Sequence, residues 1–405
     1  MLRRQEFTQP FHPAYVVWEL TLACDQRCTH CGSRAESARD RELTTAEALE
    51  VVSQLARMGS REVVLIGGEA YLHPGFLEII AALKAAGIRP TMTTGGRGID
   101  RKLALAMAGA GLYAASVSID GMGATHDAMR ATVGGFEAAL ASLRLLREAG
   151  IRTAANTNFN RFNKDELLPL YEVLKTAGIS AWQVQITAPL GRAADRPDMI
   201  LQPWDLLTLV PEIVALKARA FEEARIVIMP ANNLGYFGTG EVALRSHPTK
   251  KTDHWIGCPA GKYAMGIESD GAVKGCPSLQ TSHYVGGRAP EQPLEEIWNT
   301  APQLTWNRTR TVEDLWGFCR TCPFASHCLG GCTFTAHSVL GRPGNNPYCV
   351  FRASTLQKQG KRERLVRKQP APGLPFDNGR FELVEEPFDA PDPKPPSPAL
   401  LLRRR

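Results

Sequence analysis

The sequence predicts an α/β fold on a parallel sheet, followed by a small cysteine-rich region, and three observations carry that expectation. Apolar, β-rich runs alternate with helical patterns over roughly the first 200 residues, as in chains built from βα units. Each helical pattern closes on a glycine that the next strand follows at once. All ten cysteines fall in two stretches, 24–31 and 258–349.

The strands are expected at residues 15–20, 62–66, 89–94, 114–119, 153–158 and 182–186. Gly59, Gly87, Gly111, Gly150 and Gly178 mark the helix-to-strand junctions. Between them, Phe76, Ile80 and Leu83, and Phe136, Leu140, Leu143 and Leu146, form apolar stripes at helical spacing, which is core patterning. A long helical stretch is expected at 203–223, a short strand at 225–229 and a loop-rich connection at 230–253.

A chain of 405 residues with 44% hydrophobic and 22% charged residues is an ordinary globular composition. The net charge of +6 is mild and partly carried by Arg403, Arg404 and Arg405, which argues against a nucleic-acid surface. No apolar run is long enough to span a membrane, and the start has no apolar signal core, so a cytoplasmic protein is expected. Clustered cysteines in a reducing compartment are metal ligands rather than disulfides.

Cys24, Cys28 and Cys31 form C-x3-C-x2-C directly after the first strand. Three thiolates without a fourth suit a 4Fe-4S cluster with one iron open, whereas a structural zinc is normally closed by four ligands; a zinc knuckle is the alternative. The ends of the other strands are polar or glycine-rich: Gly67, Gly68 and Glu69; Thr93 and Thr94; Ser116, Ser118 and Asp120; Asn156, Thr157, Asn158 and Asn160; Gln183, Gln185 and Thr187. Such side chains in buried strands require partners, which a polar ligand, water or backbone supplies. Arg130 reads either as a partner for an anionic group near the fourth strand or as a surface salt bridge.

The remaining seven cysteines are Cys258, Cys276, Cys319, Cys322, Cys328, Cys332 and Cys349. Seven thiolates leave one of two four-ligand sites a ligand short, which points to clusters rather than paired zincs. Ser269, Asp270 and Gly271 read as a hairpin turn that places Cys276 just after its second strand. Residues 294–298 read as a short amphipathic helix. Beyond residue 355 the chain turns charged, helix-prone at 358–368, then proline-rich, and is expected to be disordered.

Over roughly residues 15–190 these motifs resemble the radical S-adenosylmethionine (SAM) enzymes, and the later cysteines resemble the SPASM auxiliary-cluster domain. The resemblance implies a partial (βα)6 barrel at 14–215 after a short extension at 1–13, a connector at 216–253, a SPASM domain at 254–355 and a tail at 356–405. It implies that Cys24, Cys28 and Cys31 hold the SAM-cleaving 4Fe-4S cluster, with His30 near the adenine. Gly67, Gly68 and Glu69 would meet the SAM amino group, and Ser116, Ser118 and Asp120 its ribose and carboxylate. Asn156, on the fifth strand, joins this set. Two positions depart from the family pattern: Ala70 replaces the proline after the glycine pair, and the third strand ends Thr-Gly-Gly.

By the same resemblance Cys319, Cys322, Cys328 and Cys349 close one auxiliary 4Fe-4S cluster, while Cys258, Cys276 and Cys332 hold a second. Sulfatase maturases place an eighth cysteine where this chain has Ala264, and an aspartate where it has Pro277, which weighs against that chemistry. The implied activity is reductive cleavage of SAM to a 5′-deoxyadenosyl radical that takes a hydrogen from a substrate. The domain pairing favours a ribosomally made peptide receiving a crosslink, epimerisation or oxidation. A separate leader-binding protein is the expected partner, because few residues precede the first strand, and flavodoxin or ferredoxin is the expected electron donor. Alternatives are a cofactor-pathway radical SAM oxidoreductase and a scaffold without turnover. No general acid or base stands out.

Overall fold

A computed structural model of the chain describes residues 10–392. The body of its sheet is seven parallel strands in sequence order: β1 (Tyr15–Glu19), β2 (Glu62–Ile66), β3 (Arg89–Thr94), β4 (Ala114–Ser118), β5 (Arg152–Phe159), β6 (Ala181–Ile186) and β7 (Val227–Pro230). The crossovers are α1 (Thr45–Arg57), α2 (Phe76–Ala85), α3 (Arg101–Ala110), the pair α4 (Gly123–Arg130) and α5 (Gly135–Glu148), α6 (Leu167–Ala177) and α7 (Leu206–Ala224). Thr44 and Glu47 close α1 with a capping box, and Asp100 caps α3 through the Leu103 N–H. The five junction glycines take left-handed φ values between 71° and 101°, the conformation a helix C-terminus asks of glycine.

Along β3 to β6, burial alternates except at the end of β4, where Val117 and Ser118 are both buried. Met92, Ala115, Val117, Ala155, Trp182 and Val184 join one continuous core with helix residues such as Ile80, Met107, Leu143 and Leu174. The opposite face carries Thr93, Ser116, Asn156, Asn158, Gln183 and Gln185, all only part-buried. A two-residue side-chain period therefore divides each strand between a helix-covered side and a polar inner side.

The expected boundaries shift in two places. Residue 215 falls inside α7, and β7 pairs in parallel with β6, so the sheet extends into the region expected to be a connector. On its other side, the cysteine-rich region joins the same sheet. β8 (Ala264–Ile267) pairs in parallel with β1, and β9 (Ala272–Lys274) forms the expected hairpin with β8, followed by β10 (Gly287–Arg288). An unpaired β1 edge would expose a row of backbone donors and acceptors; β8 covers it. Cys24 and Cys276 consequently follow strands of one sheet.

Of the run 358–368 only Lys358 is helical, and the described part of the tail, 356–392, is folded rather than disordered. After the helix Val350–Lys358 come β11 (Lys361–Gln369) and β12 (Arg380–Pro387), an antiparallel hairpin. Its charges, which read locally as a solvated helix face, are cross-strand partners: Arg362 and Arg364 both bind Glu386 at 2.6 and 2.8 Å. Arg362 also stacks on Trp204, 3.9 Å from the ring centroid, while Leu365 and Phe381 are buried. The prolines at 393–398 and most of the expected 1–13 extension lie outside the described residues. No helix among those described is long and apolar enough to cross a membrane.

Candidate active site and metal centres

β1 delivers residues 20–34 to the C-terminal end of the sheet, where several backbone bonds fix the cysteine loop. Cys31 N–H donates to Cys28 O (3.3 Å), and Arg34 N–H to Cys31 O (3.4 Å). From the turn after β6, the Arg192 guanidinium donates to Cys28 O (2.7 Å) and Ala35 O (2.8 Å), and its N–H to Cys31 O (3.0 Å). Burial pushes the Cys24 thiol up to about 12 and raises that of Cys28. A bound metal supplies the positive charge that reverses this preference and draws the thiolates in. The three cysteines of the motif therefore fit a cationic centre.

The Gly67-Gly68 pair packs against this loop. A Cβ on Gly68 would lie 2.1 Å from Ala23 O, and one on Gly67 2.3 Å from Thr21 O. Only glycine permits that approach, which lets Gly68 and Glu69 donate their N–H groups to Thr21 O (2.7 Å) and Ala23 O (2.8 Å). Glu69 is buried, accepts from Thr94 Oγ1 and from Gly95 N–H (2.7 Å), and converges with Cys24 and Asp25 so that their ligand atoms lie within 4.8 Å. Burial outweighs those hydrogen bonds and pushes its carboxyl up to about 7.

Asp120, just beyond β4, is fully buried (0% exposed). Its carboxylate meets His30 Nε2 at 3.1 Å and Arg130 Nη2 at 2.5 Å, and accepts from Asn158 N–H at 2.7 Å. Arg130 in turn donates to Cys28 Sγ at 3.5 Å. The surface reading of Arg130 is thus overturned: it is buried, and its anionic partner is Asp120. With its oxygens committed to these groups, Asp120 orients His30 and Arg130 instead of presenting a free carboxylate. Beside it, Ser118 pairs in register with Asn156, and Ser116 lies between Thr93 and Ala154. The Asn156 side-chain oxygen, Oδ1, is buried without a hydrogen-bond partner on this inner face.

The later cysteines assemble as two sets. Cys319, Cys322, Cys328 and Cys349 line one cavity, whose other walls include Phe237, Phe318, Phe324 and Phe351. Burial, then the neighbouring thiols, push Cys349 up to about 12. Burial followed by Cys258 and Cys332 does the same to Cys276, at about 12, so these three form the second set. Tyr284, Trp306 and Phe334 pack around Cys258 and Cys276. Tyr284 Oη and His337 Nδ1 are 2.8 Å apart, and burial pushes His337 down to about 4. Ala264 opens β8 and Pro277 follows Cys276, so neither position offers a ligand side chain.

Several supports left no signal in the sequence. Tyr236, in the stretch read as loop, and Trp255, just beyond it, hold the cysteine backbone: Cys332 N–H donates to Tyr236 Oη (3.0 Å), and Trp255 Nε1 to Cys328 O (3.1 Å). At the β1–β8 junction, Arg39 bridges Glu19 and Glu268, each at 3.0 Å, and Lys274 meets Glu268 at 2.6 Å. These groups come from distant segments with no shared spacing, so only the folded chain brings them together.

Comparison with known proteins agrees with this arrangement. Residues 18–174 match the Radical SAM superfamily, and residues 258–323 match SPASM, an iron-sulfur cluster-binding domain. An AdoMet-dependent heme synthase of Methanosarcina barkeri is 30% identical over 350 residues, covering 84% of this chain and 97% of that one. Mycofactocin maturase MftC of Mycobacterium tuberculosis is 26% identical over 388 residues, covering 93% and 90%. In fold, SuiB of Streptococcus suis bound to S-adenosylmethionine aligns with a TM-score of 0.65 at 17% identity, over 84% of this chain and 76% of that one. With both domain models matched in order and a relative similar along nearly its whole length, the chain belongs to the radical SAM enzymes that carry a SPASM domain, and its cofactors are 4Fe-4S clusters and SAM.

Proposed function

We propose that this radical SAM enzyme modifies a ribosomally made peptide, installing a crosslink, an epimerised centre or an oxidation. In this reading Cys24, Cys28 and Cys31 hold the SAM-binding cluster, and the loop of Gly67, Gly68 and Glu69, with His30, Ser116, Ser118 and Asn156, seats SAM. The chemistry that cluster and SAM supply together is reductive cleavage to methionine and a 5′-deoxyadenosyl radical. Arg192 keeps the cysteine loop in place, Asp120 holds His30 and Arg130, and the helix-covered sheet excludes water. Cys319, Cys322, Cys328 and Cys349 hold one auxiliary cluster; Cys258, Cys276 and Cys332 hold the other. Flavodoxin or ferredoxin delivers the electron, and a separate protein presents the peptide leader.

The observation that carries the peptide reading is the chemistry of the inner face. Thr93, Ser116, Asn156, Asn158, Gln183 and Gln185 offer hydroxyls and amides, and the arginines that β3 and β5 put on that side, Arg89 and Arg152, open their strands at the far end from the cysteine loop, over the Tyr113 ring. Amide lining matches peptide backbone, whereas a polycarboxylate substrate calls for unpaired cations. The length shared with mycofactocin maturase supports the same reading. A second reading, an oxidoreductase acting on a tetrapyrrole or another small molecule, is favoured by the 30% identity to the heme synthase.

Anaerobically reconstituted protein tests both. Deoxyadenosine formation is expected to rise at least tenfold with short peptides encoded beside the gene and not with porphyrins; the opposite response would replace the first reading with the second. Cys24→Ala is expected to abolish SAM cleavage while the auxiliary-cluster absorbance remains. Deoxyadenosine formed by that variant would refute the assignment of the SAM-binding cysteines.

A further inference from the structure

Lys274, the last residue of β9, stands two residues before Cys276 and is fully buried (0% exposed). Its ammonium donates to Glu268 (2.6 Å) and to Leu279 O (2.7 Å), and it lies 3.9 Å from the centroid of the Phe376 ring. An ammonium has three donors; two reach oxygens here, and the remaining contact is an aromatic face. Phe376 itself belongs to the loop joining β11 and β12. Its N–H donates to Gly32 O (3.0 Å), one residue after Cys31. A single residue thus touches the SAM loop with its backbone and covers a cation beside the auxiliary site with its ring.

The loop is fastened in this position. Asp377 accepts from Arg34 Nε at 2.9 Å, Gly191 N–H donates to Asp377 O at 2.7 Å, and Leu190 bridges to Asn378. Phe376 adopts φ 54°, a left-handed conformation that a bulky residue holds only where its surroundings dictate it. These three fastenings run to Arg34, at the end of the cysteine loop, and to residues 190–191, beside Arg192, so movement of the strap is coupled to the SAM site.

We propose that Lys274 is a substrate-binding residue masked by Phe376, and that displacement of the 370–379 strap uncovers its third donor for a backbone carbonyl of the bound peptide. Glu268 already balances the Lys274 charge, so a second carboxylate would bring unpaired negative charge into a buried site. A neutral carbonyl oxygen satisfies the donor without that penalty, and an extended peptide presents one at every residue. The identity of the acceptor rests on the peptide reading; the masking does not.

The masking is tested without any substrate, by brief acetic anhydride labelling of reconstituted holoenzyme and mass-spectrometric quantitation at Lys274 against exposed Lys250 and Lys251. Lys274 is expected to be protected in the wild type, to react at least tenfold faster in Phe376→Ala, and to regain protection in Phe376→Leu, with cluster absorbance unchanged in all three. If the alanine variant loses its clusters, Asp377→Asn, which loosens the strap and keeps the ring, serves in its place and is expected to show the same acceleration. Equal labelling of wild type and the strap variant would overturn the masking. With a peptide that the wild type turns over, Phe376→Ala is expected to lower KM and a Lys274→Met, Glu268→Gln double variant to raise it at least tenfold. Changes in the same direction would overturn the binding role. A wild type that no peptide stimulates would instead sink the peptide reading, while the labelling still decides the mask.

Discussion

Two ion networks lie at similar depth and hold opposite charge states. At the end of β4 one carboxylate, Asp120, faces two bases, Arg130 and His30. At the β1–β8 junction two carboxylates, Glu19 and Glu268, share Arg39 and Lys274. Burial raises both Asp120 and Glu19. In the first network Arg130, His30 and the Asn158 N–H outweigh it and hold Asp120 well below the usual carboxylate range. In the second, Arg39 opposes burial but Glu268 adds to it, and Glu19 is pushed up to about 7. Depth is common to both; the ratio of acids to bases decides. In the first network Asp120 therefore stays ionised and holds His30 and Arg130 beside the cysteine loop, and in the second Glu19 takes up a proton near neutrality.

The sharpest way to break this contrast is Asp120→Ala, which leaves Arg130 buried beside the Cys28 thiol alone. Removing one partner of a buried pair costs about 3–5 kcal/mol, and urea unfolding is expected to register a loss of that size. Deoxyadenosine formation should fall with it, because His30 and Arg130 lose their anchor. Since folding depresses the Asp120 pKa, its contribution is present above about pH 4 and lost as pH falls below that. The variant should accordingly be less sensitive to acid than the wild type.

Glu268→Gln comes next. The Lys274 ammonium keeps Leu279 O but loses its charged partner, while Arg39 retains Glu19. A loss of about 2 kcal/mol is expected in the same unfolding measurement, roughly the value of one charge-assisted hydrogen bond. A loss equal to that of Asp120→Ala would show that the two networks do not differ in the way their partners imply.

The members of the first network stood out in the sequence, though not their pairing with one another, and those of the second did not, for a physical reason. Asp120 ends a short apolar strand, and the period of a parallel sheet places such a residue at the ligand-bearing end whatever the rest of the chain does. The βα alternation and the cysteine spacings are local in the same sense. Glu19 and Lys274 stand more than half the chain apart, and β8 brings them together by pairing with β1. The C-terminal hairpin escaped for a related reason: Arg362 and Arg364 look like a solvated helix face until Glu386 and Trp204 arrive from elsewhere. Local pattern reports strands and ligand spacing; it is silent on ion networks assembled by nonlocal pairing.

Glu19→Gln is expected to have the smallest effect, and its sign depends on pH. Between about pH 4.5 and 7 the folded chain holds a proton on Glu19 that the unfolded chain has released, so wild-type stability falls as pH rises through that window. The full fall is at most about 3 kcal/mol, from the displacement of the carboxyl to near 7. At pH 5 the buried group is already a neutral acid, and an amide of the same shape should change stability by less than about 1 kcal/mol. At pH 8 the wild type must keep a carboxylate buried near Glu268, whereas the variant does not, so the variant should be the more stable of the two. Paired urea titrations at pH 5 and pH 8 read this directly. If Glu19→Gln is destabilised more at pH 8 than at pH 5, Arg39 dominates Glu19 as Arg130 dominates Asp120, and the contrast between the two networks fails.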